Sequence, residues 1–258
     1  MKIAFIGDIH GRIDDFSRVD RGLKAVGVEL AIQVGDFGIQ WPGRPCPLVH
    51  FFNKNSDGPF WISVMGNHDN FSAFREKGKI SHEYDNSDLP FTFTDENSYN
   101  PFIQRIGKKC ALVSRPTIIS LKDPYGTKII CFGGAVSTDS HRRVEGVDYW
   151  SEEAPTSLEF NELCRQLNAE QPTFVVTHDR PMTDTFKGEL EPGRSHKSGL
   201  PLDYVSQSLG KILDFGWNDR RGVFWFYGHH HELRKSSGPG PLDYLYGTGY
   251  HGQGWIAD

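Results

Sequence analysis

The sequence predicts an α/β fold with its chemistry gathered along one sheet edge. Three observations carry that expectation. Apolar runs of strand length alternate with helical stretches along the chain. Six of those runs end at once in a Gly- or His-bearing turn. Five of the six turns are loaded with Asp, Asn or His. Buried strands read as continuous apolar runs, and the loops at their carboxyl ends are where open α/β sheets put their chemistry.

The elements follow in order. Ile3–Ile6 is the first strand and runs into Gly7-Asp8-Ile9-His10-Gly11. A helical stretch over 14–26 leads to the strand Leu30–Val34, which runs into Gly35-Asp36. An irregular loop over 41–47 and a short helix precede Phe60–Met65, which runs into Gly66-Asn67-His68-Asp69; residues 70–77 then read as helix. Residues 79–109 are polar and aromatic with little periodicity, so a long loop covering the site is expected there. Leu112-Val113, Thr117–Leu121 and Lys128–Phe132 read as short strands. The last two form an antiparallel hairpin through Asp123-Pro124-Tyr125-Gly126, where Pro sets φ and Gly accepts a positive one. Lys128–Phe132 runs into Gly133-Gly134, the one strand end without a ligand. After an irregular stretch over 135–155, Thr156–Ala169 reads as an amphipathic helix with Leu158, Leu163 and Leu167 near one face. Thr173–Thr177 runs into His178-Asp179, and a Gly- and Pro-rich loop spans 180–199. A helix over 202–213 precedes Val223–Tyr227, which runs into Gly228-His229-His230-His231. The Gly-rich tail offers one strand at Tyr244–Tyr246. Residues 1–258 read as a single domain with insertions near 79–109, 135–155 and 180–199.

The bulk numbers bound the class. A chain of 258 residues is long enough for one large α/β core, and 13% aromatic content supplies much of it. A net charge of −5 offers no basic face for general duplex nucleic-acid binding. Four irregularly spaced cysteines form no disulfide framework. No apolar stretch is long enough to span a bilayer, so no membrane partner is expected. The first strand begins at residue 3, leaving no room for a signal peptide, and a cytoplasmic protein is the expectation.

The turns supply a mixed set of nitrogen and oxygen ligands without a thiolate. On an extended backbone Asp8 and His10 would face the same side, as would His229 and His231, with His230 turned away. Asp36 has two oxygens with which to bridge two ions; Asn67 adds a neutral carbonyl oxygen, and His178 an imidazole. Such a set suits Mn, Fe or Zn, and less well Ni or Co. Each motif alone is ordinary, since a Gly-Asp is usually a turn and a lone His usually solvated or core. Their succession at five strand ends sets a metal site apart.

Taken together, Asp8-Ile9-His10, Gly35-Asp36, Gly66-Asn67-His68-Asp69, His178 and Gly228-His229-His230-His231 make the chain resemble the calcineurin-like metallophosphoesterases, over residues 8–231. The resemblance implies an αββα sandwich, two mixed β-sheets flanked by helices. It implies two divalent metal ions, manganese being expected and Fe, Zn, Ni or Co being alternatives. Asp8, His10 and His231 would hold one ion, Asn67, His178 and His229 the other, with Asp36 bridging and His68 as general acid. The implied activity is hydrolysis of a phosphate mono- or diester by hydroxide formed between the ions. Arg12, Arg142 and Arg143 are candidates to bind the phosphate group of the substrate, since Arg matches its oxygens in pairs.

One departure stands out. Much of the family follows Gly-Asp with two residues and a second Asp that steadies the catalytic His. Here the run Asp36-Phe37-Gly38-Ile39-Gln40 has none, so either another group orients His68, with Asp69 and Asp139 as candidates, or its pKa is less tuned. That absence, with Asp69 rather than Glu closing its motif, points away from the eukaryotic Ser/Thr protein phosphatases. Gly133–Asp139, with Arg142 and Arg143 just after, resembles the prokaryotic and phage-type branches. The rival reading is a non-catalytic relative serving as a protein-binding module. Such relatives lose ligands or the catalytic His, and here every position is filled. The substrate itself is a matter for the loops and is not named by the sequence.

Overall fold

The computed structural model describes residues 1–38, 46–55, 57–77, 79–80, 87–94, 102–182, 197–217, 222–237 and 244–257. The described α-helices are α1 (Ile13–Ala25), α2 (Pro47–Lys54), α3 (Phe71–Lys77), α4 (Ser157–Glu170) and α5 (Tyr204–Lys211). The strands are β1 (Ile3–Ile6), β2 (Leu30–Gln33), β3 (Phe60–Val64), β4 (Lys79–Ile80), β5 (Phe91–Thr94), β6 (Phe102–Ile106), β7 (Cys110–Val113), β8 (Thr117–Leu121), β9 (Lys128–Phe132), β10 (Phe174–Thr177), β11 (Phe224–Tyr227), β12 (Arg234–Ser237), β13 (Tyr244–Gly247) and β14 (Gly254–Ala257).

They form two mixed sheets, ordered β14-β1-β2-β3-β7-β6-β4 and β12-β13-β11-β10-β9-β8-β5. In the first, β1, β2, β3 and β7 run parallel. In the second, β9, β10, β11 and β13 do. The sheets pack face to face. Ile3, Phe5, Leu30, Ile32, Phe60 and Ile62 of one meet Ile119, Ile129, Cys131, Val176 and Phe226 of the other. Phe5 and Phe226 stack across the seam with centroids 3.6 Å apart. Phe5→Ala would therefore cost about 3–5 kcal/mol by emptying the middle layer.

The alternate residues of the same strands face outward onto helices. Ala4, Ile6, Ala31 and Trp61 pack with Phe16 of α1, Leu48 and Phe52 of α2 and Phe71 of α3. Ile130, Phe132, Val175 and Trp225 pack with Leu163 and Leu167 of α4 and Leu209 of α5. Both faces of each central strand are thus covered, which is why its sequence is apolar throughout rather than alternating. The result is the αββα sandwich.

Three expectations change. Residues 79–109 hold strands where a long loop is expected. Phe91 and Phe93 are buried and alternate with exposed Thr92, an ordinary half-buried strand pattern. These strands widen the sheets, β5 beyond β8 and β6 and β4 beyond β7, rather than covering the site. The segments 81–86 and 95–101 lie outside the described residues, as do 183–196 of the expected 180–199 loop. Leu158 is 77% exposed, whereas α4 buries Phe160, Leu163, Gln166 and Leu167. Five residues are about 140° around a helix, so Leu158 cannot share a face with Leu163. Its place at the start of α4 is fixed instead by a capping box between Thr156 and Glu159. Finally, the tail carries two strands: β13 joins β11, and β14 joins β1. Residues 248–253 therefore cross from one sheet to the other at the edge where the parallel strands end.

Candidate metal centre

The carboxyl ends of β1, β2, β3, β10 and β11 deliver their polar residues to one spot. The backbone that does this is not the extended one expected. His10, Asp36, His229 and His231 have φ of 50°, 56°, 63° and 55°. These are left-handed conformations, uncommon outside glycine but most accessible to Asp, Asn and His. The same residues are nonetheless brought together. Donor atoms of Asp8, His10 and His231 lie within 4.8 Å of one another, and so do those of Asp36, His178 and His229.

Asp36 belongs to the second group and also reaches toward the first. Its Oδ1 is 3.5 Å from His178 Nε2 and its Oδ2 is 3.7 Å from His10 Nε2. Asn67 Oδ1 lies 3.0 Å from His178 Nε2, beside the second group. Within the first group, His231 Nε2 is 3.2 Å from Asp8 Oδ2 and 3.4 Å from His10 Nε2. The donors fit a pair of divalent cations on chemical grounds. Asp8 and Asp36 are buried together, and Asp8 Oδ1 has no hydrogen-bond partner among the described residues. A buried carboxylate oxygen left in that state is costly unless a cation or proton satisfies it.

Electrostatics prepare the imidazoles unequally. Burial pushes His10 down to about 4 and His229 down to about 3, so both are neutral donors at neutral pH. His178 goes the other way. Burial opposes its charge, but the charge and hydrogen bond of Asp36, with Asp8 beyond, raise it to about 10. Burial likewise disfavours ionised Asp36, yet His178 holds it well below the usual carboxylate range. Asp8 is pushed up, first by burial.

Fixed neighbours set the second group. His178 Nδ1 donates to the Val34 carbonyl at 2.8 Å, which turns Nε2 toward Asp36. Asn67 Nδ2 donates to Ser137 Oγ at 2.9 Å, and Ser137 in turn donates to buried Glu153 at 2.7 Å through Oγ and 2.6 Å through its backbone N–H. Two glycines are required by close approach. A Cβ on Gly35 would collide with the His178 ring, and one on Gly66 with Asp36. Gln33 ties down the Gly35 turn from below, accepting its N–H at 3.0 Å.

His68 stands outside both groups. Its backbone N–H donates to Asp36 Oδ1 at 2.7 Å. Its ring meets Arg143, whose Nη2 is 2.8 Å from His68 Nε2. Arginine can only donate, so Nε2 accepts and the ring proton sits on Nδ1. The orienting group is therefore neither carboxylate acting directly. Asp69 accepts backbone N–H groups of Gly66 at 2.8 Å and Gly38 at 2.9 Å, clamping two ligand loops together. Asp139 pairs with Arg143 at 2.7 Å and so reaches His68 only through it. Burial, and to a lesser degree Arg143, hold His68 below its ordinary pKa.

Of the three candidate arginines, only Arg143 touches a site side chain. Arg12 turns onto Asp15 at 2.7 Å with its side chain 54% exposed, and Arg142 is exposed. His230 belongs to neither ligand group: its Nε2 lies 2.9 Å from Asp179 Oδ1.

Residues 1–233 match the sequence profile of the calcineurin-like phosphoesterases. The chain belongs to this family. No match to a curated protein was found. Members of the family are metal-dependent phosphoester hydrolases, and the described residues hold two groups of donors that could each bind a metal ion. Among the described residues no helix is long and apolar enough to cross a membrane.

Sequence reasoning overlooked three residues of this phosphoesterase site. Ser137 and Glu153 support Asn67, and Tyr250 packs on His231 with ring centroids 4.2 Å apart. A signal existed for two of them. Ser137 follows the Gly133-Gly134 strand end, which supplies support instead of a ligand. Tyr250 follows Gly247 and Gly249, a further apolar run ending in a glycine turn. Glu153 left no such mark.

Proposed function

We propose that the chain is a dinuclear metal-dependent phosphoesterase that hydrolyses a phosphate mono- or diester, with His68 assisting the leaving group. The observation that carries this reading is the position of Asp36. This carboxylate is a donor of one three-residue group, faces a donor of the other, and also takes the backbone N–H of His68, whose side chain is in neither. Asp8, His10 and His231 would hold one ion and Asn67, His178 and His229 the other, with Asp36 shared. Two bound divalent ions would supply an acidified water as nucleophile and neutralise charge on the phosphoryl oxygens.

The protein supplies the remainder. With Nε2 occupied by Arg143, His68 keeps its Nδ1–H as a hydrogen-bond donor that would stabilise the charge developing on the leaving oxygen. The guanidinium of Arg143, 8% exposed, adds positive charge beside that position in a poorly hydrated setting, where it counts most. Manganese as the native ion, a cytoplasmic location and a prokaryotic or phage-type affiliation are parts of the same proposal. The first rests on the mixed nitrogen and oxygen donors, the last on the segment Gly133–Asp139 with its two arginines.

Turnover of p-nitrophenyl phosphate and of its bis-ester, with and without Mn²⁺, tests the reading. Mn²⁺-dependent hydrolysis of either is expected. His68→Ala should retain metal while the rate falls by ~10²–10⁴. The loss should be greater on alkyl phosphates, whose leaving oxygens carry more charge, than on p-nitrophenyl esters. An equal loss on both would mean that His68 does not act on the leaving oxygen. No turnover of any ester by the metal-loaded protein would favour the protein-binding module.

A further inference from the structure

The tail that follows the family-matched residues 1–233 is built into the site. Gly7 N–H donates to Gln253 O at 2.8 Å, and His251 N–H donates to Asp8 O at 2.9 Å. Thr248 N–H donates to Tyr227 O at 2.8 Å. The tail is thus fastened to the ends of β1 and β11, the two strands that deliver Asp8, His10 and His231. Glycine is needed for this seating, because a Cβ on Gly7 would collide with the carbonyl of Gly249.

Tyr250 is the residue so placed. Its ring lies 4.2 Å from that of His231 at an interplanar angle of 24°, and 5.3 Å from that of His10, edge to face at 67°. Behind it, His251 contacts its ring at 3.8 Å and lies 3.5 Å from Asp15 on α1. His231 needs such a support. Its side chain is 41% exposed, and its polar contacts among the described residues are to Asp8 and His10, which are ligands themselves. A ligating imidazole is ordinarily aimed by a hydrogen bond from its second nitrogen, as Val34 aims His178. For His231 the neighbour outside the ligand set is an aromatic face.

We infer that Tyr250 is a positioning residue that orients His231, and with it His10, toward the first metal ion by ring packing in place of a hydrogen bond. This rests on the dinuclear reading above. Stacked rings attract by geometry and area rather than by a fixed donor–acceptor line, so the hydroxyl of Tyr250 is dispensable and its ring is not.

Calorimetric titration of Mn²⁺ into the metal-free protein separates the alternatives. Wild type should take up two ions. Tyr250→Ala should weaken one of them by roughly 10–100-fold and leave the other unchanged, as loss of a ligand-orienting neighbour does. Tyr250→Phe should match wild type. Tyr250→Leu, which keeps bulk without a ring, should show the same one-sided loss and guards against a misfolded alanine variant. Unchanged affinities in both Tyr250→Ala and Tyr250→Leu would overturn the inference. So would equal weakening of both ions with a lower melting temperature of the metal-free protein, which marks a merely structural role. Wild type binding one ion or none would instead overturn the dinuclear reading, and this inference with it.

Discussion

The two ligand groups are held by different forces. In the inner group Asp36 and His178 are buried, and each support is a directed hydrogen bond: Val34 on His178, and Ser137 with Glu153 on Asn67. In the outer group Asp8 is buried, but the His10 and His231 side chains are 19% and 41% exposed. Their rings lie against each other and against Tyr250. Hydrogen bonds to buried partners fix a donor's direction once the chain folds, because breaking one strands a buried polar atom. Ring contacts are softer and tolerate small rotations. The inner donors are therefore held by directed bonds to buried partners, and the outer imidazoles by ring contacts at a more exposed position.

The sharpest way to break this contrast is to remove what the groups share. Asp36→Asn should lose both ions together, because each oxygen of Asp36 faces one group. Asp8→Asn should weaken mainly the outer ion. Metal analysis after equilibration with excess Mn²⁺ checks both, and retention of one ion by Asp36→Asn would show that the carboxylate is not shared.

A second change should act on the inner group alone. Ser137→Ala removes the hydroxyl that receives Asn67 and should weaken the inner ion by roughly 10–100-fold. It is the counterpart of the Tyr250 substitutions, and the two together should lower different binding steps. If Ser137→Ala and Tyr250→Ala weaken the same ion, the groups are not separately supported.

Protonation sharpens the contrast further. In the metal-free protein His178 is raised to about 10, so it carries its proton below that pH and loses it only as pH rises through that value. Coordination requires the neutral ring, so inner-ion binding must expel that proton and should strengthen as pH rises toward 10. His10 and His229, lowered to about 4 and about 3, are already neutral and release nothing at pH 8. Titrations at pH 8 in buffers of different ionisation enthalpy should show at least one proton released per chain. Zero release would mean that the His178–Asp36 pair is not charged before metal arrives.

Much of this was legible in the sequence, for identifiable reasons. Strands covered on both faces are apolar throughout, so the strand ends and the candidate ligands just past them could be located by inspection. The expected neighbours also come together in space, though by a different backbone. Alternation along an extended chain was the expected cause, whereas left-handed residues at His10, His229 and His231 produce it. A side-chain period carries no trace of such a turn. The strands within 79–109 are short and flanked by polar runs, which masked the alternation of Phe91 and Phe93. The supports at Glu153 and Asp179 come from residues distant in sequence from the groups they hold, and pattern alone does not join them. His230 shows the limit in small: its place outside the ligand groups was expected, but not its bond to Asp179.

That residue gives the smallest predicted effect. His230→Ala should keep both ions and most of the turnover, since Asp179 still accepts from Ser206 at 2.9 Å and Arg180 N–H at 2.8 Å. Loss of an ion in this variant would place His230 among the ligands and shift the loop register by one residue.

The central claim is that Asp36 joins two ions into one centre. Electron paramagnetic resonance of the Mn²⁺-saturated protein tests it most directly, read beside the Mn²⁺ content of the same sample. The account predicts two Mn²⁺ per chain and a spin-coupled spectrum that collapses in Asp36→Asn. A spectrum of isolated Mn²⁺, or a single ion per chain at saturation, would contradict it.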